Sequence, residues 1–490
     1  MFSSFTNAFT KKSNGDFLAT VCALSSLLLT AVSIINDKSI FEIVLLVSVI
    51  LFVRSLCSFF DTSSMLGNLK QIATKNPKKA VSLISDKTIT FAMAKNAIEG
   101  DALVAVPRNT DFVSDYIKYS TFATRLNGKF NIISIVSLII ALISGIVAYT
   151  YFDGIYYGVY VFTVIISLAS LPTLFFIDVL PAFSATKRLN KKGAMIAGKT
   201  AAEKLELANA VVVNSTDIFP SGTVTLQNIK VLSDNSIDDT LLKAASLTDA
   251  VGSTLAPIFK KIAGTNSAYS IPNSDTVKYE ERLGLSGWVD DELLFIGNRT
   301  LMEAHGIPMP NIEIDRKILR KGYFPVYLAS GGKACALLII QYSVNPIVAR
   351  EFRKITNLGV TVLVSNCDPN INEEMICDYL GLYDDSVKIM SNAGVHMYKN
   401  TVSKVESCSA PASFRTGNLT FITIMNCASR MKKTNTLLAV LYVLFFVLGA
   451  TIFIYSAFSG SENLINGTAV LLYELVATLL SLISFMIRKP

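Results

Sequence analysis

Six long apolar stretches divide the chain into a membrane part and two more polar parts. Each stretch has about 20 residues, the length that an α-helix needs to cross the hydrocarbon core of a bilayer. The first and second, the third and fourth, and the fifth and sixth stretches are separated only by short polar segments. The six stretches therefore form three hairpins. The pattern predicts six transmembrane helices, at residues 17–36, 40–60, 132–152, 155–177, 437–457 and 465–487.

The basic residues beside these stretches are distributed unevenly. The loops within the hairpins, residues 37–39, 153–154 and 458–464, contain one basic residue, Lys38. The other ends of the stretches are flanked by many, among them Lys11, Lys12, Lys432, Lys433 and Arg488. Lys and Arg beside membrane helices favour the cytoplasmic side. We therefore expect a multi-pass protein of the cell membrane, in contact with the lipid bilayer, with both termini, residues 61–130 and residues 178–436 in the cytoplasm.

The long polar part alternates short apolar runs with helical periods, which is typical of an α/β sheet. Candidate parallel strands are Ala210–Val213, Cys335–Ile340 and Val360–Val364. A helical period at Thr240–Ala263 and a strand pair at 288–296 indicate an inserted α+β domain. The predicted divisions are 1–60 (tail and first hairpin), 61–130 (polar segment), 131–180 (second hairpin), 181–230 with 326–436 (split α/β domain), 231–325 (insert) and 437–490 (third hairpin).

Composition supports this division and excludes other classes of protein. Hydrophobic residues make up 51% of the chain and charged residues 17%, which is too apolar for an ordinary soluble protein. The net charge of +7 is concentrated beside the apolar stretches and forms no basic stripe with aromatic residues, so we expect no nucleic-acid partner. The seven cysteines include no C-x-x-C pair and the histidines are two, so the sequence predicts no metal site.

Residues Gly193–Thr200, GAMIAGKT, fit the phosphate-loop pattern G-x-x-x-x-G-K-[ST] at every position. A phosphate loop joins a strand to a helix, and the N–H groups at the start of that helix bind the phosphate. Here the preceding residues, 177–191, continue the fourth apolar stretch and form no separate strand. We therefore expect a turn after a membrane helix, with Lys199 in solvent.

The residues around this turn, KKGAMIAGKTAAEKLELANAVVVNSTDIFPSGTV at 191–224, resemble P-type cation-transporting ATPases of the heavy-metal branch. Similar stretches follow at 244–263, 284–307, 358–382 and 471–488. The resemblance implies six transmembrane helices, a cytoplasmic α/β domain of the HAD-like phosphorylation type with an inserted nucleotide-binding-like α+β domain, and a reduced actuator-like segment at 61–130. It also implies a role in cation or metal transport.

The phosphorylation site of that family is altered in this chain. In the family a strand ends in the aspartate that attacks ATP, and Asn214 occupies that position here. An amide is not a competent nucleophile for this step. Ser215 replaces the family's lysine, Thr216 matches the family, and Asp217 replaces a glycine. The resemblance therefore implies a candidate catalytic position that has lost its catalytic group.

Other motifs of the family are incomplete. Residues 61–130 contain no T-G-E, and no G-D-G-x-N-D segment precedes the fifth apolar stretch. Ser253 and Thr254 replace a histidine–proline pair that contacts adenine, Arg282 replaces a glycine, and Tyr342 replaces an aspartate. The T-G-D segment survives only as Asn366, Cys367 and Asp368. Asp217 and Asp368 have no lysine or second carboxylate at the family's spacing, so we expect them to be surface carboxylates at strand ends.

Four residues of the insert match nucleotide-contacting positions of the family: Gly284, Gly287, Gly297 and Asn298. Gly297 and Asn298 are expected to form a turn between a strand and a capped helix. No cofactor is expected, and we expect ATP and Mg²⁺ to bind at most weakly.

The membrane part contains four candidate residues for an ion pathway. Pro172 interrupts the fourth stretch without the cysteines that flank it in many metal exporters, and it would free a backbone carbonyl. Glu474 lies inside the sixth stretch, where an ionisable group is a functional candidate. Tyr442 would line the same pathway, and Asp178 is expected at a solvated helix end.

The sequence favours a protein with P-type ATPase architecture that has lost its ATP-driven cycle and acts by binding or regulation. Another membrane transporter or subunit is a candidate partner. Two alternatives stay open: a divergent but working ATP-driven cation transporter, and a passive ion pathway through the retained helices. Formation of a phosphoprotein from ATP distinguishes the first alternative, and ion flux without ATP distinguishes the second.

Overall fold

The computed structural model describes residues 16–74, 78–94, 101–121, 125–233, 237–264, 272–403, 408–415, 417, 419–459 and 467–489. Lys11, Lys12 and residues 460–464 of the third hairpin loop lie outside these ranges. The helices are α1 Asp16–Ile35, α2 Phe41–Ala73, α3 Lys87–Ala94, α4 Tyr116–Thr121, α5 Arg125–Tyr151, α6 Ile155–Ala169, α7 Pro172–Phe176, α8 Val179–Asn190, α9 Lys199–Glu206, α10 Ser215–Ile218, α11 Ile237–Val251, α12 Ala256–Gly264, α13 Arg299–Ala304, α14 Glu313–Arg320, α15 Pro346–Thr356, α16 Glu373–Leu380, α17 Asn392–Val402, α18 Leu419–Phe458 and α19 Gly467–Ile487.

The strands are β1 Lys78–Ile84, β2 Val104–Thr110, β3 Val113–Ser114, β4 Ala194–Ile196, β5 Ala210–Asn214, β6 Val224–Val231, β7 Ser274–Glu280, β8 Gly284–Val289, β9 Glu292–Gly297, β10 Phe324–Ser330, β11 Lys333–Tyr342, β12 Thr361–Ser365, β13 Val387–Ile389, β14 Cys408–Ser409 and β15 Ala412–Phe414.

Six helical segments of the described chain are long and apolar enough to cross a membrane: α1, α2, α5, the combined α6–α8, α18 and α19. They confirm the six predicted spans. Two of them extend well beyond a bilayer, since α2 has 33 residues and α18 has 40. The first part of α18, including Phe421, Ile422 and Met425, is buried in the same apolar core as the strands. The fifth span therefore begins at Leu419, before the predicted residue 437, because packing against the α/β part continues the helix.

The fourth span is broken twice. Helix α6 ends at Ala169, and α7 begins at Pro172, whose missing N–H and ring prevent the helix from running through. Asp178 then separates α7 from α8 with a left-handed backbone, φ 65°. This confirms the predicted loosening at Pro172 and adds a second break one short helix later.

A seven-stranded sheet forms the α/β domain, with strand order β13-β12-β5-β2-β1-β15-β4. Strand β5 pairs in parallel with β12 on one side and with β2 on the other. Strand β2 comes from the segment between the second and third spans, which was predicted as a reduced actuator-like segment. Apolar residues of that segment, Val104, Ala105 and Val106, are fully buried. The segment is thus part of the sheet that also contains Asn214.

The insert is a six-stranded antiparallel sheet of order β6-β11-β10-β9-β8-β7. Helices α11 and α12 pack on one face and α13 and α14 on the other. The assignment of Cys335–Ile340 to the parallel sheet was wrong: this run belongs to β11 of the insert. Its apolar character has a different cause, because Leu338 and Leu337 are buried on opposite faces of the insert sheet. The insert therefore extends beyond the predicted 231–325, from β6 to β11.

The predicted helix Thr240–Ala263 is two helices, α11 and α12. Gly252 has φ 69° and ends the first of them. The turn that follows contains Ser253 and Thr254, both buried. The arrangement confirms the predicted fold class, an α-helical membrane domain joined to an α/β domain with an inserted α+β domain.

Candidate functional site

Two parallel strands end side by side at the carboxyl edge of the seven-stranded sheet. Asn214, the last residue of β5, pairs with Ser365, the last residue of β12. The preceding residues of β5 are buried valines, which fix the strand in the sheet. Polar side chains that follow the two strands are therefore brought together at this edge.

Asn214 lies at the start of the short helix α10, and its backbone N–H donates to the Asp217 carboxylate at 2.8 Å. Asp217 thus fixes the turn after β5. It is half-buried rather than on the surface, and Thr216 lies within the same helix. The position that resembles a phosphoacceptor carries an amide, and the nearest carboxylate along the chain already accepts a hydrogen bond from the same turn.

Asp368 follows β12 and is fully buried, with no exposed area. The prediction of a surface carboxylate was therefore wrong. Its carboxylate accepts from the Tyr342 hydroxyl at 2.8 Å, from the Asn370 N–H at 2.9 Å and from the Thr254 hydroxyl. Asn366 supports the loop by accepting from the Asp368 N–H at 3.0 Å. These donors compensate for the hydration that a carboxylate loses when it is buried.

The pKa values of the two titratable groups of this cluster, the Asp368 carboxyl and the Tyr342 phenol, are both raised above their ordinary values. Burial raises the pKa of the Asp368 carboxyl, and the hydrogen bonds from Thr254, Asn370 and Tyr342 offset part of that rise. Burial also raises the pKa of Tyr342, and the nearby Asp368 charge raises it further. The phenol therefore stays a hydrogen-bond donor at neutral pH.

The insert glycines that match nucleotide-contacting positions lie at close backbone contacts. A Cβ at Gly284 would lie 2.2 Å from the Ile296 carbonyl oxygen, and one at Gly297 would lie 2.3 Å from the Leu283 carbonyl oxygen. A Cβ at Gly287 would lie 2.3 Å from Leu247 Cδ1. Packing therefore accounts for all three glycines.

Asn298 forms the turn expected from the sequence. Its side chain accepts from the Leu301 N–H at 3.1 Å, which caps α13, and donates to the Arg282 carbonyl at 2.8 Å. Leu247 covers Gly287, and the Thr254 hydroxyl donates to Asp368.

The phosphate-loop pattern at Gly193–Thr200 does join a strand, β4, to a helix, α9. A Cβ at Gly198 would lie 2.7 Å from the Tyr119 carbonyl and from Ser120 Cα, so α4 covers the start of the helix. Lys199 was predicted in solvent, which was wrong: its side chain is 20% exposed and lies 3.2 Å from the Asp61 carboxylate of α2. The pattern therefore ties the second membrane helix to the α/β domain.

The membrane candidates surround the broken fourth span. The Tyr442 hydroxyl donates at 2.8 Å to the carbonyl of Ala169, at the break before Pro172. Asp178 is 5% exposed and is bonded to Asn435 of α18, so its prediction as a solvated helix end was wrong. The left-handed turn directs Asp178 into the helix bundle rather than towards solvent.

Glu474 is 2% exposed on α19, and neither carboxylate oxygen makes a well-formed hydrogen bond within the described part of the chain. Ser167 and Cys22 lie close enough to interact with it electrostatically. The Ser170 hydroxyl, at the break of the fourth span, is also buried and makes no well-formed hydrogen bond to the described residues. Burying an ionisable group within the membrane is costly, which makes this cluster a functional candidate.

Across the described ranges, no three His, Cys, Asp or Glu side chains converge on a point that could hold a metal ion. The sequence also did not reveal the partnership of Thr254 with Asp368, because 114 residues separate them. The clearest available signal was that Thr254 departs from the family pattern while Asp368 is kept from the T-G-D segment.

No family model matches the chain. The chain is 22% identical over 337 residues to a copper-exporting P-type ATPase of Legionella pneumophila, covering 68% of this chain and 45% of that protein. It is 22% identical over 191 residues to a silver-exporting P-type ATPase of Salmonella typhimurium, covering 39% of this chain and 23% of that protein. These matches confirm the predicted resemblance and an integral membrane location. The matched part spans less than half the length of these relatives.

Among solved structures, one crystal structure of a zinc-transporting PIB-type ATPase has a TM-score of 0.48 at 13% identity, covering 98% of this chain and 92% of that chain. A second crystal structure of a zinc-transporting PIB-type ATPase, in another state, has a TM-score of 0.38 at 14% identity, covering 77% of this chain and 66% of that chain.

Proposed function

We propose that this P-type ATPase-like membrane protein forms no aspartyl phosphate and acts in cation transport by binding or regulation. The observation that carries the proposal is Asn214, an amide at the end of β5, where the resembling family has its nucleophilic aspartate. Asp217 is a poor substitute because its carboxylate accepts the Asn214 N–H. Ser215 adds no positive charge beside the strand end.

The place of strand β2 supports the same proposal. In the family, the segment between the second and third spans forms the domain that dephosphorylates the aspartate. Here part of that segment pairs with β5 through Val104 and Ala105, opposite Ala210 and Val211. A segment that is hydrogen-bonded into the sheet core is unsuited to a large movement relative to that sheet. The dephosphorylation step therefore has neither its motif nor its separate domain.

The residues available for ATP and Mg²⁺ also fit those groups poorly. Asp368 is enclosed by donors from the chain itself, and Leu247 lies against Gly287. A role in which the α/β domain serves as a scaffold for a partner membrane transporter or subunit is consistent with these features. The identity of that partner stays a prediction.

Phosphorylation of the purified full chain tests the proposal. We expect incubation with γ-labelled ATP and Mg²⁺ to yield no acid-stable, hydroxylamine-sensitive phosphoprotein. A hydroxylamine-sensitive phosphoprotein in the wild-type chain, formed on another carboxylate of the site and absent from Asp217→Asn, would instead favour a divergent ATP-driven cation transporter, and the proposal would fail.

A second candidate function, a passive ion pathway, is favoured by Glu474, whose buried carboxylate has no well-formed hydrogen bond among the described residues. Tyr442 and the break at Pro172 lie in the same bundle. Ion flux into liposomes without ATP tests this candidate. We expect Glu474→Gln to abolish such flux and the matched variant Glu42→Gln, in the first turn of α2, to preserve it. Equal flux in empty liposomes and in liposomes with the wild-type chain would exclude the pathway.

A further inference from the structure

The insert touches the carboxyl edge of the seven-stranded sheet through a buried polar cluster. Thr254 lies in the turn between α11 and α12, and Tyr342 is the last residue of β11, so both belong to the insert. Both hydroxyls donate to Asp368, which follows β12 of the other sheet. All three residues are at most 3% exposed. The cluster therefore joins the two sheets at a point that solvent does not reach.

A second contact joins the same two parts at the turn between β7 and β8. Arg282 lies 3.2 Å from the Glu373 carboxylate at the start of α16. Glu281 accepts from the Asn392 N–H at 2.7 Å, at the start of α17, and Asn392 Nδ2 donates to the Tyr279 carbonyl at 2.9 Å. These carboxylates suit the partial positive charge of a helix start. The insert is thus held at two separate places.

Apolar packing lies beneath the buried cluster. The Tyr342 ring packs edge-on against Phe219, which follows α10, with ring centroids 5.5 Å apart. Leu255, next to Thr254, is buried in the same core as Val213 of β5. The two sheets therefore share one continuous core as well as the hydrogen bonds.

We propose that these two contacts form an intramolecular clasp that holds the insert closed on the sheet edge and fills the cleft in which a nucleotide would bind. The position of the insert is then independent of ATP. The inference rests on the proposed function. In a chain without an ATP-driven cycle, the clasp would hold the insert in one position relative to the seven-stranded sheet. Thr254 stands at a position where the chain departs from the family, and its partner Asp368 is the aspartate that the chain keeps from the T-G-D segment.

Hydrogen exchange of the full chain in lipid nanodiscs tests the clasp, followed in peptides that cover residues 252–256, 279–283 and 366–371. We expect ATP and Mg²⁺ to leave exchange unchanged in the wild-type chain. The double variant Thr254→Val with Tyr342→Phe removes two donors to a buried carboxylate, so we expect exchange in these peptides to rise about tenfold or more.

Matched variants separate release of the clasp from general damage. Thr248→Val alters a fully buried threonine of α11 whose hydroxyl donates to its own helix, and should leave exchange in 279–283 and 366–371 unchanged. Arg282→Ala, at an exposed side chain, should raise exchange around residues 389–392 without unfolding the insert.

The clasp is contradicted if the double variant exchanges like the wild type, or if ATP and Mg²⁺ alter exchange in the wild-type chain. Phosphorylation is measured on the same samples. If a phosphoprotein forms while exchange behaves as expected, the clasp stands and the proposed function fails.

Discussion

At the scale of single residues, Asp368 links protonation to stability. Burial raises its pKa above the ordinary carboxyl value of about 3.9. The folded state therefore binds the proton more tightly than the unfolded state. The stabilisation is complete below the ordinary value and is lost as pH rises through the raised pKa. We expect the contribution of Asp368 to the Tm to fall with rising pH in this window.

Asp368→Asn should remove this contribution, because an amide does not titrate. The Tm of the variant relative to that of the wild type should therefore rise as pH increases through this window, when full chains are compared in detergent. Asp378→Asn, at an exposed aspartate of α16, is the matched control and should follow the wild-type curve. Parallel curves for wild type and Asp368→Asn would show that Asp368 does not titrate in this range.

Gly287 offers a second test at this scale, because a Cβ there would lie 2.3 Å from Leu247 Cδ1 and 2.4 Å from the Thr276 carbonyl oxygen. We expect Gly287→Ala to destabilise the insert by about 1–3 kcal/mol, the usual cost of overpacking a core. Gly264→Ala, where no atom lies within 4 Å of the added Cβ, should have little effect. Thermal unfolding of both variants measures the difference, and a harmless Gly287→Ala would contradict the packing role.

Sequence patterns predict the role of a residue when its hydrogen-bond or ion-pair partner lies nearby in the sequence. The Asn298 cap is one example, because its acceptor and donor lie three residues apart. Asp368 was misplaced because its burial depends on Thr254, which lies far away in the sequence. Lys199 was misplaced for the same reason, since its partner Asp61 belongs to another helix.

At the scale of elements, strand β2 distinguishes this chain from an arrangement with a separate actuator unit. Ala105 is fully buried opposite Val211. A charge at such a site costs several kcal/mol. We expect Ala105→Asp to make both residues 61–130 and the α/β domain sensitive to limited proteolysis, whereas Asn109→Asp, at an exposed position of β2, should not. Cleavage confined to residues 61–130 would indicate that this segment folds independently.

The six membrane helices could be predicted because an apolar run of bilayer length has few alternatives. Their ends could not, since α2 and α18 continue into the α/β part through tertiary contacts. Strand β11 was assigned to the wrong sheet because burial on both faces gives the same continuous apolar run in a parallel or an antiparallel strand.

At the scale of the whole molecule, one apolar core joins the membrane-proximal helices, the seven-stranded sheet and part of the insert. Asn214, Asp368 and Thr254 thus lie in a part of the molecule where neighbouring helices and strands pack on several sides. The cytoplasmic placement of the α/β part and of both termini stays a prediction from the basic residues beside the spans. A continuous core of this kind is consistent with the proposed scaffold role.

The most direct test of the central claim is ATP turnover by the full chain carrying Asn214→Asp in proteoliposomes. We expect hydrolysis to stay at background, because the restored carboxylate lacks both the adjacent lysine and the G-D-G-x-N-D carboxylates that would hold Mg²⁺. In phosphoryl transfer a single cationic group contributes about 10³ or more to the rate. Asn311→Asp, an exposed asparagine of the insert, controls for the added charge. Robust cation-stimulated hydrolysis by Asn214→Asp, absent from Asn311→Asp, would contradict the account and show that the catalytic machinery is otherwise intact.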